Sequence, residues 1–107
     1  MKRIIDYVKA IKGATSPYKI VNSDSQSKTE RDVTGSTIYT VRQVHYFDDG
    51  VSVEYEREHD DGAPYPGCQE FWYTYKVVNP NGFEFEGETT KLFKSNSEIE
   101  KWLKSNG

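Results

Sequence analysis

Alternation of apolar and polar residues around two tight-turn signals constrains the fold of this chain more than any other feature. In the first segment, residues 38–47 and 51–59 flank Asp48-Asp49-Gly50, and an Asp-Gly pair is typical of a two-residue hairpin turn. The predicted pairs are Tyr46 with Val53 and Val44 with Tyr55 on an apolar face, and His45 with Glu54, Gln43 with Glu56 and Val41 with Glu58 on a polar face. A register shifted by one residue would place Val44 opposite Glu54 and mix the two faces, so the pattern favours the two-residue turn.

A second turn signal, Asn79-Pro80-Asn81-Gly82, separates residues 71–78 from residues 83–88. Proline suits the second position of a type I turn, and Gly82 suits the left-handed residue of a three-residue loop with a bulge. The predicted apolar face consists of Phe71, Tyr73, Tyr75, Val77, Phe83 and Phe85. The predicted solvated face consists of Thr74, Lys76, Val78, Glu84, Glu86 and Glu88, with Lys76 opposite Glu86.

Amphipathic segments near both ends of the chain predict helices. The segment from Lys2 to Lys12 carries Ile4, Val8 and Ile11 at the spacing of one helix face. Near the C-terminus, Ser97-Glu98-Ile99-Glu100 fits a capping box and precedes apolar residues at helical spacing. We expect the core to depend on Ile4, Val8, Ile11, Phe85, Trp102 and Leu103.

Residues 22–36 are almost wholly polar, and the sequence predicts a flexible loop or a ragged edge there, after a short strand at residues 18–21. The chain has 107 residues, a length typical of one domain. We therefore expect a single α+β domain over residues 1–107. Its predicted architecture has two layers: an antiparallel sheet of four to five strands, built from two hairpins, with both helices packed on the apolar face. The pattern leaves the strand order open.

The composition excludes several classes of function. The net charge of −3 and the pI near 5.4 argue against the broad basic field that nucleic-acid-binding domains carry. No apolar run is long enough to cross a bilayer, and no leader peptide is visible before the first helix. Cys68 is the only cysteine, so no internal disulfide can form and a reducing compartment is favoured. We expect a cytoplasmic protein that binds neither nucleic acid nor a membrane.

No pattern in the sequence points to catalysis, a metal or a cofactor. His59, Asp60, Asp61 and Cys68 are close in sequence, but no second cysteine and no C-x-x-C spacing accompany them. Phosphate-binding and serine-hydrolase motifs are also absent. The sequence therefore predicts a protein that is not an enzyme and needs neither cofactor nor metal.

Two acidic stretches of period two lead to a functional hypothesis. The predicted partner-binding surface is a row of six glutamates on the solvated sheet face: Glu54, Glu56, Glu58, Glu84, Glu86 and Glu88. Glutamate is depleted in strands, which favours a role in attracting a basic partner, although a solvated face must in any case be polar. Tyr65, in a loop of proline and glycine residues between the hairpins, is the second predicted contact, because tyrosine is a rigid anchor at interfaces.

These observations favour a small, acidic, non-enzymatic protein-binding domain, an inhibitor or immunity-type factor. Its partner would be another protein with a basic surface, such as a nuclease toxin or a nucleic-acid-binding machine. One alternative is a ligand-binding or enzymatic domain with a pocket between helices and sheet, involving His45, His59, Cys68 or the tyrosines. Another is a structural or accessory protein whose acidic face is only solvated.

Overall fold

The computed structural model describes residues 1–33, 35–62 and 69–106. One helix precedes and one helix follows, in the sequence, the five strands of a single antiparallel sheet. Each strand pairs with the next one along the chain, so the spatial order of the five strands is their order in the sequence. The elements are α1 (Ile4–Ile11), β1 (Ile20–Arg31), β2 (Thr37–Phe47), β3 (Ser52–Asp60), β4 (Glu70–Asn79), β5 (Thr90–Phe93) and α2 (Asn96–Asn106). The predicted α+β class is confirmed.

Two groups of buried side chains form the core. The first combines both helices with β4 and β5, and consists of Ile4, Val8, Ile99, Tyr73, Tyr75 and Phe93. The second combines α1 with the first hairpin, and consists of Tyr7, Phe47, Val51 and Val53. Of the predicted core residues, Ile4 and Val8 are buried, whereas four are only partly buried: Ile11, Phe85, Trp102 and Leu103. Full burial of one such side chain contributes roughly 1.5–3 kcal/mol, so these groups hold the helices to the sheet.

The first hairpin is one residue out of the predicted register. Val44 lies opposite Glu54, and His45 lies opposite Val53. The predicted pairing of Val44 with Tyr55 is therefore wrong, as is the preference for a two-residue turn. Val44 shares a face with the glutamates, and His45 takes its place among the core residues.

A three-residue turn causes this shift. Gly50 N–H donates to the Phe47 carbonyl at 3.0 Å, and Phe47 N–H donates to the Val51 carbonyl at 2.9 Å. Gly50 has a φ of 87°, the left-handed conformation that ends a type I turn with a bulge. The turn brings Phe47 and Val51 into the core, where they are 2% and 0% exposed. The predicted register would have left Phe47 on the solvated face, so its burial favours the observed turn.

The second hairpin forms with a different strand from the predicted one. β4 pairs with Thr90–Phe93, and residues 83–88 lie in the connection between these strands. The backbone of this connection instead pairs with the N-terminal segment: Lys2 N–H donates to the Glu84 carbonyl at 3.1 Å, and Glu86 N–H donates to the Lys2 carbonyl at 2.8 Å. The predicted pairing of Lys76 with Glu86 is therefore wrong. Pairing through β5 places Phe93 opposite Tyr73, where it is 7% exposed.

The predicted loop at residues 22–36 is wrong over most of its length, because Ile20–Arg31 is the edge strand β1. Residues 22–31 pair with β2 without a break, from Asn22 opposite Tyr46 to Arg31 opposite Thr37. Pairing with β2 holds this strand in place, so it forms without an apolar face of its own. The connection to β2 is confined to residues 32–36.

α2 begins earlier than predicted, because Ser95 caps it in place of Ser97. The Oγ of Ser95 accepts a hydrogen bond from Glu98 N–H at 3.2 Å. The Glu98 carboxylate accepts one from Lys94 N–H at 2.8 Å. Two overlapping Ser-x-x-Glu patterns occur in this segment, and the serine of the earlier one caps the helix.

Candidate protein-binding surface

The register divides the strand side chains between two faces of the sheet. The inner face is the one that holds the buried Val53, Tyr73 and Tyr75, and the outer face is the opposite one. Directly opposed residues of neighbouring strands share a face, and successive residues of one strand alternate between faces. Every paired residue is therefore assigned to a face by its register.

The outer face carries an excess of carboxylates. Seven acidic residues of three strands lie on it: Asp24, Glu30, Glu54, Glu56, Glu58, Asp60 and Glu70. Three cations share this face: Lys28, Arg42 and Lys76. The outer face alone is therefore more negative than the whole chain, whose net charge is −3.

Arg42 partly neutralises the centre of the outer face. Its Nε lies 3.4 Å from Glu54 Oε1, and its Nη2 lies 3.2 Å from Glu56 Oε2. Glu58 lies farther along β3, opposite Thr40 on one side and Trp72 on the other. The side chains of Glu54 and Glu56 remain 22% and 30% exposed, so their carboxylates are still accessible to a partner.

The inner face carries no carboxylate in any of the five strands that the structure describes. Burial alone does not explain this, because one end of the inner face is open to solvent. Exposed residues there include Arg31, Arg57, Tyr39 and Phe71. Asp61, directly after β3, also lines this open end, so the separation of charge holds for the strands themselves.

The structure brings together three of the predicted contact residues, Glu54, Glu56 and Glu58, on the outer face. The other three glutamates, Glu84, Glu86 and Glu88, lie in the connection between β4 and β5. The predicted single row of six is therefore wrong, because the strand that was to carry these three is replaced by β5. Tyr65 lies outside the described residues.

Four outer-face carboxylates were missed by the sequence reasoning: Asp24, Glu30, Asp60 and Glu70. A signal for β1 was present, since serine or threonine occupies every second position from Ser23 to Thr29. Asp24, Gln26 and Lys28 fill the positions between them. Small hydroxyl residues therefore alternate with larger polar residues at the period of a strand. The alternation contains no apolar residue, so apolar periodicity does not reveal this strand.

Apolar side chains interrupt the charge on the outer face. Tyr46 is 37% exposed and Leu92 is 60% exposed. Trp72 is half-buried and lies next to Glu58 in the register. The Tyr46 hydroxyl donates to Asp24 Oδ2 at 3.2 Å, which raises the pKa of Tyr46. The outer face therefore combines steering charges with aromatic anchors, the composition that protein interfaces favour.

A row of rings occupies the open end of the inner face. The ring centroids of Tyr39 and His59 are 5.7 Å apart, and those of His59 and Phe71 are 4.2 Å apart with the planes at 5°. The row lines an open depression of about 670 Å³ together with Arg57 and Val41. It is lined by residues of β1, β2, β3 and β4, whereas the alternative prediction places a pocket between the helices and the sheet.

Asp49, in the first turn, is the centre of a half-buried polar network. Its Oδ2 accepts hydrogen bonds from the Tyr7 hydroxyl at 2.5 Å and from Lys2 Nζ at 3.0 Å, and its Oδ1 accepts one from Val51 N–H at 3.0 Å. Burial alone would raise the pKa of Asp49, but these hydrogen bonds and the charge of Lys2 hold it below its usual value. Burial and the bond to Asp49 raise the pKa of Tyr7. The network ties α1 to the first turn, which accounts for it without a catalytic role.

His45 is buried on the inner face, with 9% of its surface exposed. Its Nδ1 lies 2.8 Å from Ser23 Oγ, and its Nε2 has no hydrogen-bond partner among the residues that the structure describes. Burial lowers the pKa of His45, because it disfavours the charged imidazolium. The neutral ring is therefore the form that this position favours.

Within the described ranges, no three His, Cys, Asp or Glu side chains come together as metal ligands, and Cys68 lies outside those ranges. Neither α1 nor α2 has the length and apolar character needed to cross a membrane. Comparison with protein-family models, with curated proteins and with solved structures finds no significant match.

Proposed function

We propose that this protein is a non-enzymatic, protein-binding domain of the cytoplasm that binds a basic partner protein through the outer face, as an inhibitor or immunity-type factor. The observation that carries the proposal is the separation of charge, with seven strand carboxylates on the outer face and none on the inner face of the described strands. Charge dispersed evenly over both faces would serve solubility equally well. One-sided charge also attracts a basic surface in a defined orientation.

The apolar residues of the outer face supply binding affinity that its charges alone do not provide. Exposed ion pairs contribute little affinity, whereas buried aromatic anchors dominate the binding energy of interfaces. Tyr46 and Trp72 lie among the carboxylates and would be covered by a partner seated there. The glutamates would then control the rate of encounter, and the aromatic residues would control the lifetime of the complex.

The chain offers a matched pair of variants for testing this proposal. One variant replaces the three outer-face residues Glu54, Glu56 and Glu58 by Gln. The other replaces the three connection residues Glu84, Glu86 and Glu88 by Gln, so both variants have the same net charge. Association rates are measured against salt concentration with a short poly-lysine peptide as a defined probe, and with any basic protein that the wild type captures from its native cells.

The outer-face variant should associate more slowly, with a flatter dependence on salt, because long-range attraction is screened within roughly 10 Å at 0.1 M salt. The connection variant should keep the rate and the salt dependence of the wild type. Equal slowing in the two variants would mean that only net charge matters, and it would refute the proposal.

The row of rings supports a second candidate function, the binding of a flat, anionic ligand. Tyr39 and Phe71 are 44% and 37% exposed, and the same depression is lined by two cations, Arg57 and Lys28, and one carboxylate, Asp61. Rings of this kind stack on planar ligands, and a guanidinium pairs with an anion. The aromatic anion 8-anilinonaphthalene-1-sulfonate is a suitable probe. Phe71→Ala should abolish its fluorescence enhancement and Tyr46→Ala, on the outer face, should not; the reverse would exclude this function.

A further inference from the structure

β1 leaves one complete strand edge without a partner in the described part of the chain. It pairs with β2 on one side only, and its residues 21–31 are all exposed. No proline or bulge interrupts it from Asn22 to Arg31. A long edge that neither proline nor a bulge interrupts is a template for pairing with another strand.

The hydrogen bonds show which residues of β1 direct their backbone groups outward. Asp32 N–H donates to the Ser36 carbonyl at 2.8 Å, in continuation of the β1–β2 register. Backbone groups of successive strand residues point to opposite sides, so even-numbered residues of β1 pair with β2. The odd-numbered residues, which are Ser23, Ser25, Ser27 and Thr29, therefore present their N–H and C=O groups at the free edge.

The side chains of this edge are complementary to themselves. Two antiparallel copies of β1 related by a two-fold axis at Gln26 would place Asp24 of each copy opposite Lys28 of the other. The same axis would pair Ser25 with Ser27 and Ser23 with Thr29, whose hydroxyls can hydrogen-bond across strands. Opposite charges and paired hydroxyls both stabilise antiparallel neighbours.

Neighbouring registers lack this complementarity. An axis at Ser27 would place Glu30 opposite Asp24 of the other copy, and an axis at Lys28 would place two lysines together. An axis at Ser25 would leave both charged residues opposite neutral ones. Like charges directly opposite each other destabilise a strand pair, so the sequence of β1 selects the axis at Gln26.

We propose that two copies of this protein associate through β1, with the two-fold axis at Gln26, to form a continuous ten-stranded sheet. The axis is perpendicular to the sheet, so the outer faces of both copies lie on the same side and form one acidic surface of twice the area. Within one copy, Lys28 Nζ lies 3.2 Å from Glu30 Oε1 and Asp24 Oδ2 accepts the Tyr46 hydroxyl. Both contacts are exposed and can rearrange on pairing. The dimer does not depend on the proposed function of the outer face.

Cysteine scanning tests the register, with Cys68→Ser as the background. Gln26→Cys would bring two thiols together at the axis, where opposed residues that are not hydrogen-bonded have Cα atoms about 4.5 Å apart, a distance that a disulfide spans. In Ser25→Cys or Ser27→Cys the two thiols would be offset by about 7 Å along the strand. Under mild oxidation, Gln26→Cys should form the covalent dimer in preference to the other two. Equal cross-linking at all three positions, or none at Gln26, would overturn the proposal.

Charge exchange tests the pairing without new covalent bonds. Lys28→Asp should weaken the dimer by about tenfold or more in sedimentation equilibrium, because Asp24 of each copy would then face a carboxylate instead of an ammonium group across the axis.

Adding Asp24→Lys to that variant restores opposite charges in exchanged positions, and it should return the dissociation constant to near the wild-type value. Circular dichroism of both variants shows whether the monomer fold is retained. A wild type that stays monomeric at millimolar concentration, or a double variant that fails to recover, would refute the dimer.

Discussion

Arg42 lies between Glu54 and Glu56 on the outer face, within 3.4 Å of one carboxylate and 3.2 Å of the other. Arg42→Gln should lower the free energy of unfolding by no more than about 1 kcal/mol, because all three side chains are in contact with solvent. The same change should speed association with poly-lysine, since it makes the outer face more negative. Lys76→Gln removes an equal charge from the same face, opposite Glu54, and should speed association in the same way. Slower association of both variants would contradict the steering role of the face.

Gly50 holds the turn that sets the register of the first hairpin. Its φ of 87° is strained for other residues, and a Cβ at this position would collide with the side-chain amide of Asn81. That amide donates to the Asp49 carbonyl at 2.8 Å. Gly82→Ala, at a φ of 78° with open space around it, should cost about 1–2 kcal/mol from the left-handed conformation alone.

Gly50→Ala should cost about 1 kcal/mol more than Gly82→Ala, because it also breaks the hydrogen bond of Asn81. In an Asn81→Ala background, the costs of the two glycine substitutions should become similar. Urea unfolding of the single and double variants measures these differences. Equal costs in the wild-type background would show that Asn81 does not confine the turn.

His45 should make the protein less stable in mild acid. The folded-state pKa is lowered from 6.5 by burial, so above that pH both the folded and the unfolded chain hold a neutral ring. As the pH falls through about 6.5, the unfolded chain takes up a proton that the folded chain does not, and stability is lost until the folded-state pKa is reached. His45→Gln should reduce this loss when urea unfolding is compared at pH values above and below that window. An unchanged pH dependence would show that His45 is not the group responsible.

α2 should depend more on Ile99 than on Leu103. Ile99 is 0% exposed in the first core group, whereas Leu103 is only partly buried against it. Ile99→Ala should cost about 2–5 kcal/mol, the range for truncating a buried aliphatic side chain, and Leu103→Ala should cost less. Thermal and urea unfolding of the two variants check the order. A larger loss for Leu103→Ala would mean that α2 packs through a different face.

Local patterns identified the helices and the β2–β3 turn region, because helical spacing and an Asp-Gly pair act over a few residues. The register of that hairpin depended on competition between Phe47 and Val44 for the core, which alternation alone does not decide. Pairing of β4 with β5 depended on long-range packing of Phe93 against Tyr73. β1 was missed because an edge strand held by β2 needs no apolar residues.

Only the part of the candidate surface that depends on local alternation was predicted from the sequence. Glu54, Glu56 and Glu58 share a face in either register, since a shift of β2 does not change the alternation within β3. Glu84, Glu86 and Glu88 were assigned through a strand that the structure replaces with a connection. The separation of charge between the two faces becomes visible only when all five strands are in register.

Side-chain NMR signals would show most directly which face of the sheet contacts a basic partner. Val44 and Val41 lie on the same strand but on opposite faces, so their methyl groups are matched reporters, and the Trp72 indole reports on the outer face. On titration with poly-lysine or with the captured partner, the signals of Val44 and Trp72 should shift while those of Val41 stay in place. Shifts at Val41, Tyr39 and Phe71 without shifts at Val44 and Trp72 would contradict binding through the outer face.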